Sequence, residues 1–189
     1  MSAALERRLE EIVRAAPNLM RVLTIARDLD LPDWMIFSGA VYQRVLNHLT
    51  GRDLDYGIKD YDLGYFDPDT SYEAEDRVIR RVAAAFEPPL REMVEVRNQA
   101  RVHLWFEGKF GEPYAPLTRT ADALSRFVSP LFSVGVRLEP DDSLSVAAPF
   151  GLDDLFALRL APNPVRRTNG FARTAASATA RWPELVVDN

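Results

Sequence analysis

Ile58-Lys59-Asp60-Tyr61-Asp62-Leu63-Gly64-Tyr65-Phe66-Asp67 alternates apolar or aromatic residues with carboxylates. Successive side chains of a strand point to opposite faces, so this stretch, read as a strand, projects Asp60 and Asp62 together and turns Tyr61, Leu63 and Tyr65 the other way. Two like charges side by side on one strand face repel, and Asp is a poor strand former. The pair is costly unless a cation lies between or above it. A hard divalent ion such as Mg²⁺, which takes one or two carboxylates together with substrate phosphate oxygens, is the usual remedy. The competing reading is an edge strand with both Asp solvated.

Upstream, the apolar run Trp34-Met35-Ile36-Phe37 leads into Ser38-Gly39-Ala40, and from Ala40 to about Thr50 the positions Val41, Val45, Leu46 and Leu49 share one helical face, with Gly51 placed to stop the helix. Gly39 therefore stands at a helix start. Free backbone N–H groups and the positive dipole end favour an anion there, and the missing Cβ admits a ligand close to the main chain; a tight turn is the alternative use of the same glycine. Downstream, Asp67-Pro68-Asp69 ends the strand, and Thr70 with Glu73 has capping-box spacing for a helix from about Ser71 to Phe86. After Pro88-Pro89, the segment from Val94 to Phe106 has strand periodicity, with Glu95, Arg97, Gln99, Arg101, His103 and Trp105 on one parity. Its length predicts a bend or bulge near Asn98-Gln99.

The remaining pattern predicts helices over about 2–16 and 18–28, a short helix from Thr118 to about Arg126, and a hairpin of Val134–Glu139 with Leu144–Ala148 around the turn Pro140–Ser143. A helix opens after Pro149, with Asp153 and Asp154 in its first turn as partners of the dipole, and another covers about Thr174 to Arg181. The 189 residues suit a single domain over 1–189, with an N-terminal helical segment at about 1–30 and a C-terminal helical tail at about 165–189. A formal charge of −5 argues against general DNA binding. The absence of Cys removes disulfides and thiolate chemistry, and two His leave little for zinc. No apolar run is long enough to cross a bilayer and the N-terminus lacks a signal-peptide core, so a cytoplasmic protein without membrane attachment is expected. The chain has no Gly-x-x-x-x-Gly-Lys-Ser/Thr loop, no Gly-x-Gly-x-x-Gly fingerprint and no Gly-x-Ser-x-Gly elbow.

The order Gly39-Ala40, helix, Lys59-Asp60-Tyr61-Asp62, helix, Glu95 resembles the nucleotidyltransferase superfamily typified by polymerase β. Together with Asn98–Trp105 and Ala148–Phe156 it is similar to a bacterial family of small nucleotidyltransferase-like proteins, over most of the chain from Trp34 to Pro164. The resemblance implies an α+β fold with a mixed sheet flanked by helices. It implies that Asp60 and Asp62 bridge Mg²⁺ ions with Glu95 as third ligand, and that Gly39 and Ala40 receive phosphate through backbone N–H groups. Lys59, Arg97 or Arg101 then offsets triphosphate charge. The reaction implied moves a nucleoside monophosphate from a nucleoside triphosphate to an unknown hydroxyl acceptor (small molecule, protein or RNA) with release of pyrophosphate. Three departures stand out: Ala40 where members usually carry Ser or Gly, a longer interval from Gly39 to Asp60, and Glu95 in place of Asp. They frame the alternative, a non-catalytic protein that binds a nucleotide or a partner on a degenerate fold.

Overall fold

The computed structural model describes residues 2–166 and 168–188. Two helices, α1 (Ala3–Arg14) and α2 (Pro17–Leu29), precede β1 (Met35–Phe37), α3 (Gly39–Leu49) and β2 (Tyr61–Tyr65). Then follow α4 (Tyr72–Ala85), the single turn α5 (Leu90–Met93), β3 (Val94–Asn98) and α6 (Val102–Phe110). The hairpin strands β4 (Gly135–Leu138) and β5 (Leu144–Ala147) lead to the short α7 (Asp153–Phe156), then β6 (Arg159–Leu160), α8 (Phe171–Arg181) and β7 (Val186–Val187). Five strands form one sheet in the order β3-β2-β1-β4-β5, in which β2 and β3 run parallel and every other pair is antiparallel. The fold is α+β with a mixed sheet, and β6 and β7 make a separate parallel pair.

Alternation along β2 decides which face is which. Tyr61, Leu63 and Tyr65 are buried in the main core, where Ile36, Val96, Val136 and Leu138 join them against apolar residues of α1, α2, α3, α4 and α8. Asp62 and Gly64 take the opposite parity, as do Met35 and Phe37 across the β1 register, and a second small core of Met35, Phe37 and Leu124 lies on that face. Gly64 is required by close approach: a Cβ there would stand 2.4 Å from the Phe37 ring and 2.9 Å from Thr120. The site face is thus part packed and part open.

Buried polar groups tie the long interval between α3 and β2 to the helix. Arg44, fully buried, donates to Tyr61 Oη at 2.9 Å and pairs with Asp55 at 2.5 Å. Asn47 donates to the carbonyls of Leu54 and Tyr56 at 3.1 and 2.9 Å and accepts from Trp182 Nε1 at 2.8 Å. The loop that extends the spacing from Gly39 to Asp60 is therefore fastened to α3, and so is the end of α8.

The predicted strand over Val94–Phe106 holds only as far as Asn98. There the side chain of Asn98 accepts from Ala100 N and from Asp67 N at 3.0 and 3.1 Å and donates to the Asp67 carbonyl at 2.9 Å, which ends the strand in a turn. A 3-10 turn over Gln99–Arg101 and α6 follow, so Arg101 and His103 do not lie on a strand, and Leu104 is 58% exposed. Apolar residues sit all round α6, which is why a strand period could be read from it. Smaller shifts are local. Ser71 rather than Thr70 caps α4, accepting from Ala74 N at 3.3 Å; Pro17 opens α2; the carboxylate strand spans Tyr61–Tyr65, with Asp60 just before it. Gly64→Ala should lower stability by about 1–3 kcal/mol, the usual cost of overpacking, in a urea titration; an unchanged midpoint would show that Phe37 moves freely.

Candidate functional site

Only Ser38 stands between the end of β1 and the start of α3, and it takes φ 64° and ψ −141°. That region is open to glycine and costs another residue about 1–3 kcal/mol. The turn brings the N-terminus of α3, with Gly39 and Ala40 in its first turn, beside Asp62, which lies opposite Phe37 on β2. Parallel pairing then sets Glu95 opposite Asp62 and Arg97 opposite Gly64. Asp62, Glu95 and Arg97 accordingly share one end of the open sheet face.

The carboxylates disturb one another. Burial first, then the charge of Asp60 and that of Glu95, push Asp62 up to about 6, against a hydrogen bond from Ser38 and the charge of Arg97. Asp60 is also raised, by burial and then by Glu95, with Lys59 opposing. Glu95 leans toward Arg97 at 3.7 Å. No three His, Asp or Glu side chains among the described residues converge closely enough to enclose an ion. The donor set still fits a hard cation shared with phosphate oxygens, because two partly buried carboxylates that resist joint ionisation are what such a cation relieves, and Mg²⁺ needs only one or two protein carboxylates.

Gln43 and Arg181 were not signalled by the sequence. A Cβ on Gly39 would meet Gln43 Nε2 at 2.5 Å, so the helix start is glycine because Gln43 folds back over it. Gln43 Oε1 accepts from Arg181 at 3.3 Å. Burial raises Tyr42 above its usual value, Arg181 and Gln43 oppose the shift and Asp62 adds to it, which puts Arg181, Tyr42 and Asp62 in one electrostatic neighbourhood. Among the described residues Arg181 has no acidic partner within ion-pair distance, and its Nε is buried without a hydrogen bond. Nothing local marks it, since it closes a helix far along the chain from Gly39. Arg101, by contrast, is engaged elsewhere: it pairs with Glu75 and lies 5.8 Å over the Tyr72 ring. Lys59 is exposed beside Asp60. Asp67 accepts from Asp69 N at 2.8 Å and serves the turn, while Asp154 accepts from Arg159 at 2.8 Å.

A cleft of about 510 Å³ opens next to Ser38 and Tyr42. It runs between α6 and the start of α8 and is lined by Phe106, Phe110, Phe127, Phe132, Arg126, Arg166 and Arg173 among others.

The chain belongs to the nucleotidyltransferase family, whose model, described as "Nucleotidyltransferase", matches residues 24–187. A search of the curated proteins found no match. Among solved structures, one described as an NMR structure that reveals a CCA-adding enzyme head domain is similar at 26% identity and TM-score 0.74, over 95% of each chain. A second, described as the complex of a CCA-adding enzyme with CTP, shares the fold at 16% identity and TM-score 0.53; the match covers 97% of this chain and 43% of that one. No helix among the described residues is long and apolar enough to cross a membrane.

Two outcomes follow from this geometry. Ser38→Gly relieves the backbone and should raise the unfolding free energy by about 1 kcal/mol in chelator-treated protein, read from denaturant titrations; a loss of stability would mean that the hydroxyl outweighs the strain. Asp62, ordinarily at 3.8, is held near 6 in the folded chain, so between these values the folded state keeps a proton that the unfolded state has lost. Its contribution is fully present below the lower value and is lost as pH rises through the upper one. Metal-free wild type should therefore lose stability relative to Asp62→Asn from about pH 4 to pH 6, and parallel pH profiles of the two would contradict the assignment.

Proposed function

We propose that this chain is a Mg²⁺-dependent nucleotidyltransferase that moves a nucleoside monophosphate from a nucleoside triphosphate to a hydroxyl acceptor. The observation that carries the reading is the burial of Asp62 beside Asp60 and Glu95, directly against the start of α3. Asp60 and Asp62 would hold the metal, with Glu95 as the candidate third carboxylate. When bound, Mg²⁺ supplies charge neutralisation for the triphosphate and the departing pyrophosphate. The free N–H groups at Gly39 and Ala40 receive phosphate oxygens, and the Ser38 hydroxyl, one position before Gly39, provides the side-chain contact that Ala40 lacks. Arg181, oriented by Gln43, and Arg97 offset phosphate charge, a role that Arg101 is too engaged with Glu75 to share.

In the reaction the acceptor oxygen bonds to the α-phosphorus while the bond to the bridging oxygen of pyrophosphate breaks, and the acceptor proton is taken up on the carboxylate face. The site's contribution is positioning and charge stabilisation, as in other phosphoryl transfers. A nucleoside triphosphate donor places the reaction in the cytoplasm. The acceptor is a hydroxyl of a small molecule, a protein or an RNA.

Calorimetry with each of the four ribonucleoside triphosphates, in Mg²⁺ and in chelator, tests this reading. Binding should require the metal, and Asp60→Asn should abolish the metal-dependent binding and cut pyrophosphate release on the order of 10²–10³-fold while circular dichroism stays unchanged. Equal binding with and without metal in the wild type would point instead to a non-catalytic nucleotide-binding protein.

A further inference from the structure

The cleft beside Ser38 has a composition that the paired carboxylates do not explain. Phe110 is 49% exposed at the end of α6, and the ring of Phe106, one turn earlier, lies tilted with its centroid 4.7 Å from that of Phe110 and 4.4 Å from that of Tyr114. Phe127 packs edge-on to Phe37 of β1 at 5.9 Å, which joins the aromatic wall to the strand that leads into Ser38. The guanidinium of Arg166 lies 5.3 Å over Phe106 and is neutralised by Glu112 at 2.9 Å, and that pair closes the floor. Arg126 and Arg173 also line the cleft, and neither has an acidic partner within ion-pair distance among the described residues. Planar apolar faces and uncompensated cations thus line a space that is continuous with the anion-favouring start of α3.

We propose that this cleft is the nucleoside subsite of the enzyme, where the base of the triphosphate stacks on Phe106 and Phe110. The assignment rests on the transferase reading and adds where the base sits. Its warrant is that one cavity carries both chemistries: Ser38, which precedes the start of α3 and adjoins the carboxylate face, lines it together with the aromatic rings of Phe106 and Phe110 and the guanidinium groups of Arg126 and Arg173. The volume falls within the range of small-molecule sites. Stacking on an aromatic ring tolerates any base, so the subsite should bind all four triphosphates with modest preference.

The test compares a nucleoside triphosphate with inorganic tripolyphosphate, which has the phosphates and no base, by calorimetry in Mg²⁺. The wild type should bind ATP at least about tenfold more tightly than tripolyphosphate. Phe106→Leu/Phe110→Leu keeps apolar volume and removes both aromatic faces; it should erase that difference while leaving tripolyphosphate affinity unchanged. Phe110→Trp, at an exposed position, should restore or exceed it when paired with native Phe106. If ATP and tripolyphosphate bind the wild type alike, or if the Leu double variant retains the full ATP advantage, the cleft belongs to the acceptor or another occupant and the subsite is overturned while the transferase reading stands. If neither ligand binds in Mg²⁺, both fall together.

Discussion

Repulsion among the carboxylates of Asp60, Asp62 and Glu95 is the constraint around which the molecule is arranged. Register produces it: antiparallel pairing of β1 with β2 and parallel pairing of β2 with β3 leave Asp62 flanked by Phe37 and Glu95, with Asp60 one step before the strand. A buried carboxylate is pushed toward its protonated form, and Asp62 is moved in that direction, up to about 6. Ser38 and Arg97 oppose the shift without cancelling it. The face keeps its charges close to a helix N-terminus and to Arg181, a disposition suited to a metal and a polyanion arriving together.

Such a face needs a rigid support, and α3 supplies it from below. Arg44 and Asn47 are wholly buried: Arg44 donates to the Ala40 carbonyl, Asp55 and Tyr61, and Asn47 joins the carbonyls of Leu54 and Tyr56 to Trp182 at the end of α8. Polar groups buried in this way are costly when left unpaired, so the network rewards the one loop conformation that supplies these partners. The entry of the chain into Asp60 is consequently set by contacts to α3. The same contacts bring Arg181 to the helix start, since Trp182 next to it is anchored on Asn47.

Much of this was written locally. Two-residue alternation made the faces of β2 readable, and the same parity placed Glu95 and Arg97 on the face of Asp62. The helix after Gly39 and the hairpin around Pro140 were legible because their signals lie within a few residues of one another. What escaped depends on partners distant in sequence. The end of β3 is decided by Asn98 bonding to Asp67, and an alternating pattern continues past it without a mark. Arg181 becomes a neighbour of Gly39 only through Gln43 and Trp182, and the cleft exists only where α6 meets α8. Arg101 misled for the same reason, since its partner Glu75 belongs to another helix.

The departure at Ala40 takes on a different weight beside Ser38. A site that had lost its ligand would have no reason to keep a residue with a side chain in a glycine conformation, because replacement by glycine removes about 1–3 kcal/mol of strain at a single step. It would equally be free to exchange Asp62 for a neutral residue and shed the cost of burying a charge beside two others. The chain bears both costs at adjacent positions, and the hydroxyl absent from residue 40 is present at residue 38, within hydrogen-bonding reach of Asp62. Strain at Ser38 and repulsion at Asp62 thus meet at one end of the sheet face, where a cation and a polyanion bound together would relieve the repulsion.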